Sequence, residues 1–234
     1  MSKKLRDIKK LKGSKSFDRV SSQREKKVRF LIVCEGKRTE PNYFKALVKD
    51  KFSEVRDEEI QGEGSCTVSL VKRTTEIKKE LEEKRQLPFD RIWVVFDKDS
   101  FNDFNDAIQL AKKLKYSVAW SNEAFELWYY LHFQYLDTKI SRHDYIKRLE
   151  NEIRRYDGYK TFSYKKNDPK MYRLLNDLGN EGFAKKNAVR LRKMFVGSKD
   201  YNSHQPCTQV DLLVDELENP EKVIAMINSE TFAK

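Results

Sequence analysis

The sequence predicts an α/β protein: a mainly parallel, four-stranded sheet covered by helices, with a mostly helical C-terminal half. Three observations carry this. Short runs rich in β-branched and aromatic residues alternate with helix-period segments over the first half of the chain. The connections between them are short, as in β-α-β units. After Ser121 the strand-like runs stop and helical periodicity takes over.

The elements follow in order. "VRFLIVC" (Val28–Cys34) reads as a strand buried on both faces. Thr39 is placed to cap a helix running through about Asp50, with Pro41 tolerated in its first turn. "SCTVSLVK" (Ser65–Lys72) is expected to be the second strand, and "TTEIKKELEEKRQ" (Thr74–Gln86) a charged amphipathic helix. "DRIWVVFDKDS" (Asp90–Ser100) gives a third strand ending in acids, Phe101–Lys115 a helix, and "YSVAWS" (Tyr116–Ser121) a fourth strand. "EAFELWYYLHF" opens the helical half, and five further helix-period segments follow, through "PEKVIAMIN". This divides the chain into an arm at 1–27, an α/β unit at 28–122 and a helical region at 123–234 packed on it.

The 234 residues suffice for a substantial core. No run approaches the length of a membrane span, and the basic N-terminus lacks the apolar stretch of a secretory signal, so a cytoplasmic location without membrane contact is expected. Cys34, Cys66 and Cys207 are scattered, as are His132, His143 and His204, which argues against a zinc site and for packing or surface roles. Carboxylate-based chemistry of a hard metal stays open.

The net charge of +11 is unevenly placed. Residues 1–29 hold twelve Lys/Arg against three acids, leaving about +2 for the rest. Such an arm can grip phosphates, or serve as a solubilising tail or a docking arm for an acidic protein. Lys26 and Lys27 at its end, with Lys37, Arg38 and Lys98 beside the acids described next, are the candidate nucleic-acid contacts.

Glu35 follows the first strand, while Asp97 and Asp99 end the third. In open parallel sheets ligands collect beyond these strand ends. Asp97 and Asp99, two apart, can point to one place if the chain stays extended, and Glu35 joins them if the first and third strands are neighbours. Carboxylates so gathered raise one another's pKa, a conflict that a divalent cation resolves. "EGKRT" lacks the glycine spacing of a nucleotide-binding loop, and Gly36 is expected to supply a positive φ for a turn.

An acid at one strand tip and a DxD two β-α units later resembles the TOPRIM fold of topoisomerases, primases and certain nucleases. "LIVCEGKRTEPNYF", "VVFDKDS", "SNEAFELWYYLHF", "YKKNDPKMY", "KKNAVRLRKMF" and "NSHQPCTQVDLLVDEL" together resemble the RloB-like proteins, related to the AbiLii component of abortive phage-resistance systems. The resemblance implies a catalytic glutamate at Glu35 and a metal-binding pair at Asp97 and Asp99. It adds Glu40 as a second acid, whose alternative role is to favour a helix N-terminus. Glu126 matches an acid among aromatics, sharing a helix face with Glu123. Lys165 matches a basic position able to neutralise a phosphate, a role Lys166 could fill equally.

The expected activity is therefore a Mg²⁺-dependent phosphodiesterase, with Mn²⁺ able to substitute, cleaving DNA, tRNA or other RNA in phage defence. Catalytic residues would be Glu35, Asp97, Asp99 and Lys165, and metal ligands Glu35, Asp97, Asp99, Glu40 and Glu126. The alternative is a non-catalytic binding module or interaction subunit, working with an ATPase partner since the chain has no ATP-binding loop. The oligomeric state is open.

Overall fold

The structure, a computed structural model, describes residues 27–54, 56–65, 67–98 and 102–232. The basic arm through Lys26, together with Cys66 and Asp99, lies outside the described residues.

A five-stranded sheet forms the centre, in the order β2 (Arg56–Gly62), β1 (Val28–Cys34), β3 (Arg91–Asp97), β4 (Ser117–Asn122) and β5 (Cys207–Thr208). The first four strands are parallel, and β5 runs antiparallel to β4. Side chains of a strand alternate between faces, and the core divides accordingly. Phe30, Ile32 and Cys34 of β1, with Trp93 and Val95 of β3, join one apolar cluster. Leu31 and Val33, with Val94 and Phe96, join the other. Two covered faces explain why β1 is apolar without alternation.

Helices α2 (Thr67–Arg85) and α3 (Phe104–Lys113) cover the second face through Leu70, Val71, Ile77, Phe104 and Ile108. On the first face lies α1 (Thr39–Asp50), with α4 (Glu126–Leu131), α5 (Arg142–Ile153), α6 (Met171–Leu178), α7 (Glu181–Lys193), α8 (Val210–Glu218) and α9 (Pro220–Phe232). The core runs unbroken across residue 123: Trp128 Nε1 of α4 donates to the Tyr43 hydroxyl of α1 at 2.8 Å, and both are buried. The helical half also supplies β5 and so completes the sheet.

The second strand differs from the sequence expectation. Ser65–Lys72 does not form it: residues from Thr67 onward are the first turns of α2, and the strand is "RDEEIQG" at Arg56–Gly62. Leu70, Val71, Thr74 and Ile77 are buried at helical spacing. β2 pairs with β1 alone, so as an edge strand it needs no apolar face and is protected by charge. Its acids are matched by Arg29 and Arg85 on Asp57, Arg56 on Glu58, and Arg85 on Glu59. Likewise, Thr39 is inside α1 rather than its cap. Arg38 holds that position, and Thr39 Oγ1 donates instead to the Lys166 carbonyl at 2.6 Å.

The buried His132 ring meets the Trp128 carbonyl at 2.9 Å, and burial pulls its pKa down to about 4, so it is neutral packing. Cys34 and Cys207 are buried free thiols.

Candidate functional site

β1 and β3 are neighbours, so the condition for gathering Glu35 with Asp97 is met. The ladder continues one residue past β1, with the Glu35 N–H donating to the Val95 carbonyl at 2.8 Å. The Glu35 carboxylate then accepts the Asp97 N–H at 3.1 Å, joining the two strand ends through a side chain. Asp97 itself is 14% exposed and accepts from Arg142 at the start of α5, 3.3 Å away. That helix is fixed by a capping box between Ser141 and Asp144.

The turn after Glu35 leads into α1, which delivers Glu40 to the same rim from its first turn. Glu40 is buried, and its Oε2 has no partner among the described residues. Gly36 leaves space here and does not adopt a positive φ, since only Gly64, Gly158 and Gly197 among the described glycines adopt one. A Cβ on Gly36 would collide with the Glu40 carboxylate. At the end of β2, Gly62 gives similar clearance, where a Cβ would stand 2.9 Å from Lys37 Cα.

Glu126 opens α4, is buried, and accepts from the Tyr164 hydroxyl at 2.9 Å. Tyr164 belongs to a loop anchored by its own N–H to Glu150 at 2.8 Å and by Arg154 to the Phe162 carbonyl at 2.7 Å. The same loop brings Lys166 into electrostatic reach of Glu40. Lys165 is exposed, as are Lys37 and Arg38 on the turn after Glu35. Lys98 follows Asp97, with its N–H on the Ser121 carbonyl at 2.8 Å. Lys27 immediately precedes β1 and stands at the other end of the sheet, roughly 25 Å from Glu35 along the extended chain. Glu123 is turned to structural use, accepting from the Arg142 N–H at 3.5 Å and the Gln205 amide at 3.1 Å.

Four carboxylates, Glu35, Glu40, Asp97 and Glu126, thus feel one another on one rim. Burial is the largest cause of the rise of the Glu40 pKa to about 7, with Glu126 and Glu35 adding to it and Lys166 opposing. Burial, then Glu40 and Glu126, hold Asp97 well above the usual carboxylate range against the pull of Arg142. The donor set is all hard oxygen, which suits Mg²⁺ or Mn²⁺, and the unpartnered Glu40 oxygen suits a cation. The side chains are not drawn together as for coordination: among the described residues, no three His, Cys, Asp or Glu stand close enough to hold a metal ion.

The raised Glu40 pKa has a thermodynamic consequence. A carboxyl that binds protons more tightly when folded stabilises the fold at low pH and loses that contribution as pH rises toward the folded pKa. Wild-type stability should therefore fall between about pH 4.5 and 7. Glu40→Gln should flatten this dependence and gain up to about 3 kcal/mol over wild type at pH 8. Chemical denaturation across pH 5 to 8 measures it, and parallel curves for the two proteins would remove Glu40 from the account.

Arg142 and Tyr164 are the partners that sequence reasoning missed. Arg142 is one of two arginines in a charged helix, and its 45-residue separation from Asp97 leaves no local signal. Tyr164 sits inside "YKKNDPKMY", beside Lys165 and Lys166.

Fold and rim together define an α/β protein with an acidic cluster beyond the carboxyl ends of its parallel strands. The model of the RloB-like protein family matches residues 30–217, and the chain belongs to that family. No curated protein and no solved structure matches the chain. Among the described residues no helix is long and apolar enough to cross a membrane.

Proposed function

We propose that the chain is a TOPRIM-type, Mg²⁺-dependent phosphodiesterase that hydrolyses nucleic-acid backbones in the cytoplasm, in defence against phage. The observation that carries this reading is the rim of four mutually repelling carboxylates, with a buried Glu40 oxygen that has no hydrogen-bond partner among the described residues. Asp97, Glu40 and Glu126 would hold the metal together with Asp99, and Glu35 from the neighbouring strand would share in that role or move protons. A bound Mg²⁺ or Mn²⁺ would supply Lewis-acid stabilisation of the phosphate and a more acidic water.

The chain's own groups do the rest. The Asp97 N–H orients Glu35, which is half-buried and able to take a proton from the attacking water. Arg142 and Lys166 flank the rim as cations to oppose the charge that builds on the phosphate, with Lys165 one residue away. The defence role is drawn from the resemblance to abortive phage-resistance proteins.

The second reading is an interaction subunit whose site is completed by an ATPase partner. It draws on the side chains standing apart as they are. To separate the two, the purified chain is incubated with single- and double-stranded DNA and with tRNA, in Mg²⁺, Mn²⁺ or chelator. Cleavage that needs metal is the expected result. Equal cleavage in chelator would sink the metal mechanism. An inert chain that cleaves only with an ATPase encoded beside it would favour the second reading.

A further inference from the structure

The charge of the folded chain has one concentration that the rim does not use. Residues 182–199 contain six Lys/Arg and no Asp or Glu, whereas the rest of residues 30–234 holds thirty Lys/Arg against 34 Asp/Glu. Most of that segment is α7. At 3.6 residues per turn, Phe183, Lys186, Val189, Arg190, Lys193 and Met194 fall within an arc of about 140°. All six are exposed. The opposite side of the helix is buried through Ala184, Asn187, Ala188 and Leu191.

The other cations of α7 are spent internally, Lys185 on Glu218 and Glu181, and Arg192 on Asp211. Lys186, Arg190 and Lys193 face no carboxylate among the described residues. Arg190 lies 3.7 Å over the Tyr135 ring, which fixes the guanidinium without neutralising it. A shallow depression of about 500 Å³ runs along this face, lined by Lys185, Lys186, Val189, Arg190 and Lys193.

We infer that the outer face of α7 binds the backbone of a single-stranded nucleic acid. The inference rests on the reading of this chain as one that acts on nucleic acid, and it specifies the substrate class and its path. Outside this segment the folded body is slightly net acidic, so this face is a favourable place for it to receive a polyanion. The apolar groups between the cations favour a single strand, whose unpaired bases can pack on Phe183, Val189 and Met194, over a duplex that offers only phosphates there. The direction also fits. Arg192 in the last turn donates to the Thr208 carbonyl at 2.8 Å, and Thr208 pairs with Ser121 of β4. The last turn of the helix therefore lies beside β5, level with the end of the sheet that carries Asp97.

The test compares the full chain with the variant Lys186→Glu/Arg190→Glu/Lys193→Glu, at positions exposed enough for folding to survive, checked by equal melting temperatures. Fluorescence anisotropy with labelled single-stranded DNA, single-stranded RNA and duplex is measured in chelator, so that no cleavage intervenes. The N-terminal arm is present in both proteins and cancels. The variant should bind single strands at least tenfold more weakly, with a log–log salt slope shallower by about two for three lost contacts. Duplex affinity should change less, and the DNA and RNA arms show which sugar is preferred. Photocrosslinks from halogenated pyrimidines should map to residues 183–194.

Unchanged affinity and slope for every oligonucleotide, or crosslinks confined to residues 1–27, would overturn the inference and leave the face to an acidic protein. No binding by wild type would also overturn it. Failure of the hydrolytic reading is separately visible: Asp97→Asn should still bind. Wild type that binds through α7 yet never cleaves would sink the enzyme and keep the surface.

Discussion

Asp97→Asn and Glu35→Gln should each lower metal-dependent cleavage by at least about 100-fold, the scale of losing one well-placed electrostatic group in a partly dry site. The two changes act differently. Asn at 97 keeps the shape of the side chain and the backbone N–H that Glu35 accepts, but removes the charge opposite Arg142. Gln at 35 keeps an acceptor for that N–H and loses the capacity to bind a proton. Neither should destabilise the fold. Taking one charge from a set of buried, mutually repelling carboxylates relieves repulsion, so Asp97→Asn should melt at or above the wild-type temperature near pH 8. Steady-state cleavage alongside melting curves decides the matter. Wild-type rates in both variants would mean that the chemistry lies elsewhere. A large rate loss accompanied by an equally large loss of stability would mean that the two acids hold the rim together and do no more.

The parts of this arrangement that were legible in the sequence are those set by burial and by topology. Val28–Cys34 and the third strand stand out because both of their faces are covered. Placing Glu35 beside Asp97 needed only that those strands be adjacent. β2 was not legible, because an edge strand can be built from "RDEEIQG" when arginines from β1, β2 itself and α2 match its acids. The apolar run just after it drew the strand assignment to what is a helix buried along one stripe. β5 is two residues long and acquires its identity only by lying against Ser121 and Asn122. Glu40 and Glu126 were recoverable through family resemblance, but their local pattern alone pointed to a helix dipole and an aromatic core. Arg142 and Tyr164 reach the rim by tertiary packing across 45 and 38 residues, a separation at which sequence periodicity carries no information. At Gly36 the sequence suggests a positive φ, whereas the glycine gives clearance from the Glu40 side chain four residues on, which no local pattern encodes.

Arg56→Met should produce the largest loss of stability of any substitution considered, about 3 to 5 kcal/mol, because it removes one partner from a buried charged network. The Arg56 side chain is 1% exposed and forms an ion pair with Glu58 at 3.2 Å. Its guanidinium also donates to the Val48 and Lys51 carbonyls at 2.7 and 2.8 Å and to the Leu217 carbonyl. Those carbonyls belong to the ends of α1 and α8, which have no helical donors left to use. Met would fill the volume but leave them without the guanidinium's N–H donors in a dry site, each a penalty of about 1 to 3 kcal/mol. At about 2 to 4 °C per kcal/mol for a chain of this size, the melting temperature should fall by roughly 10 °C or more. Lys at this position should recover only part of the loss, since one ammonium lacks the planar fork that reaches acceptors on two helices and a strand at once. By contrast, Arg85→Ala, which breaks partly exposed pairs to Asp57 and Glu59, should cost about 1 kcal/mol or less. Similar losses at both positions would show that Arg56 acts as a surface charge and not as a clamp. The clamp also bears on the rim. Arg56 holds the C-terminal end of the helix whose first turn carries Glu40, so freeing that end lets the helix shift and should raise the metal concentration needed for half-maximal cleavage, even at temperatures where the variant remains folded.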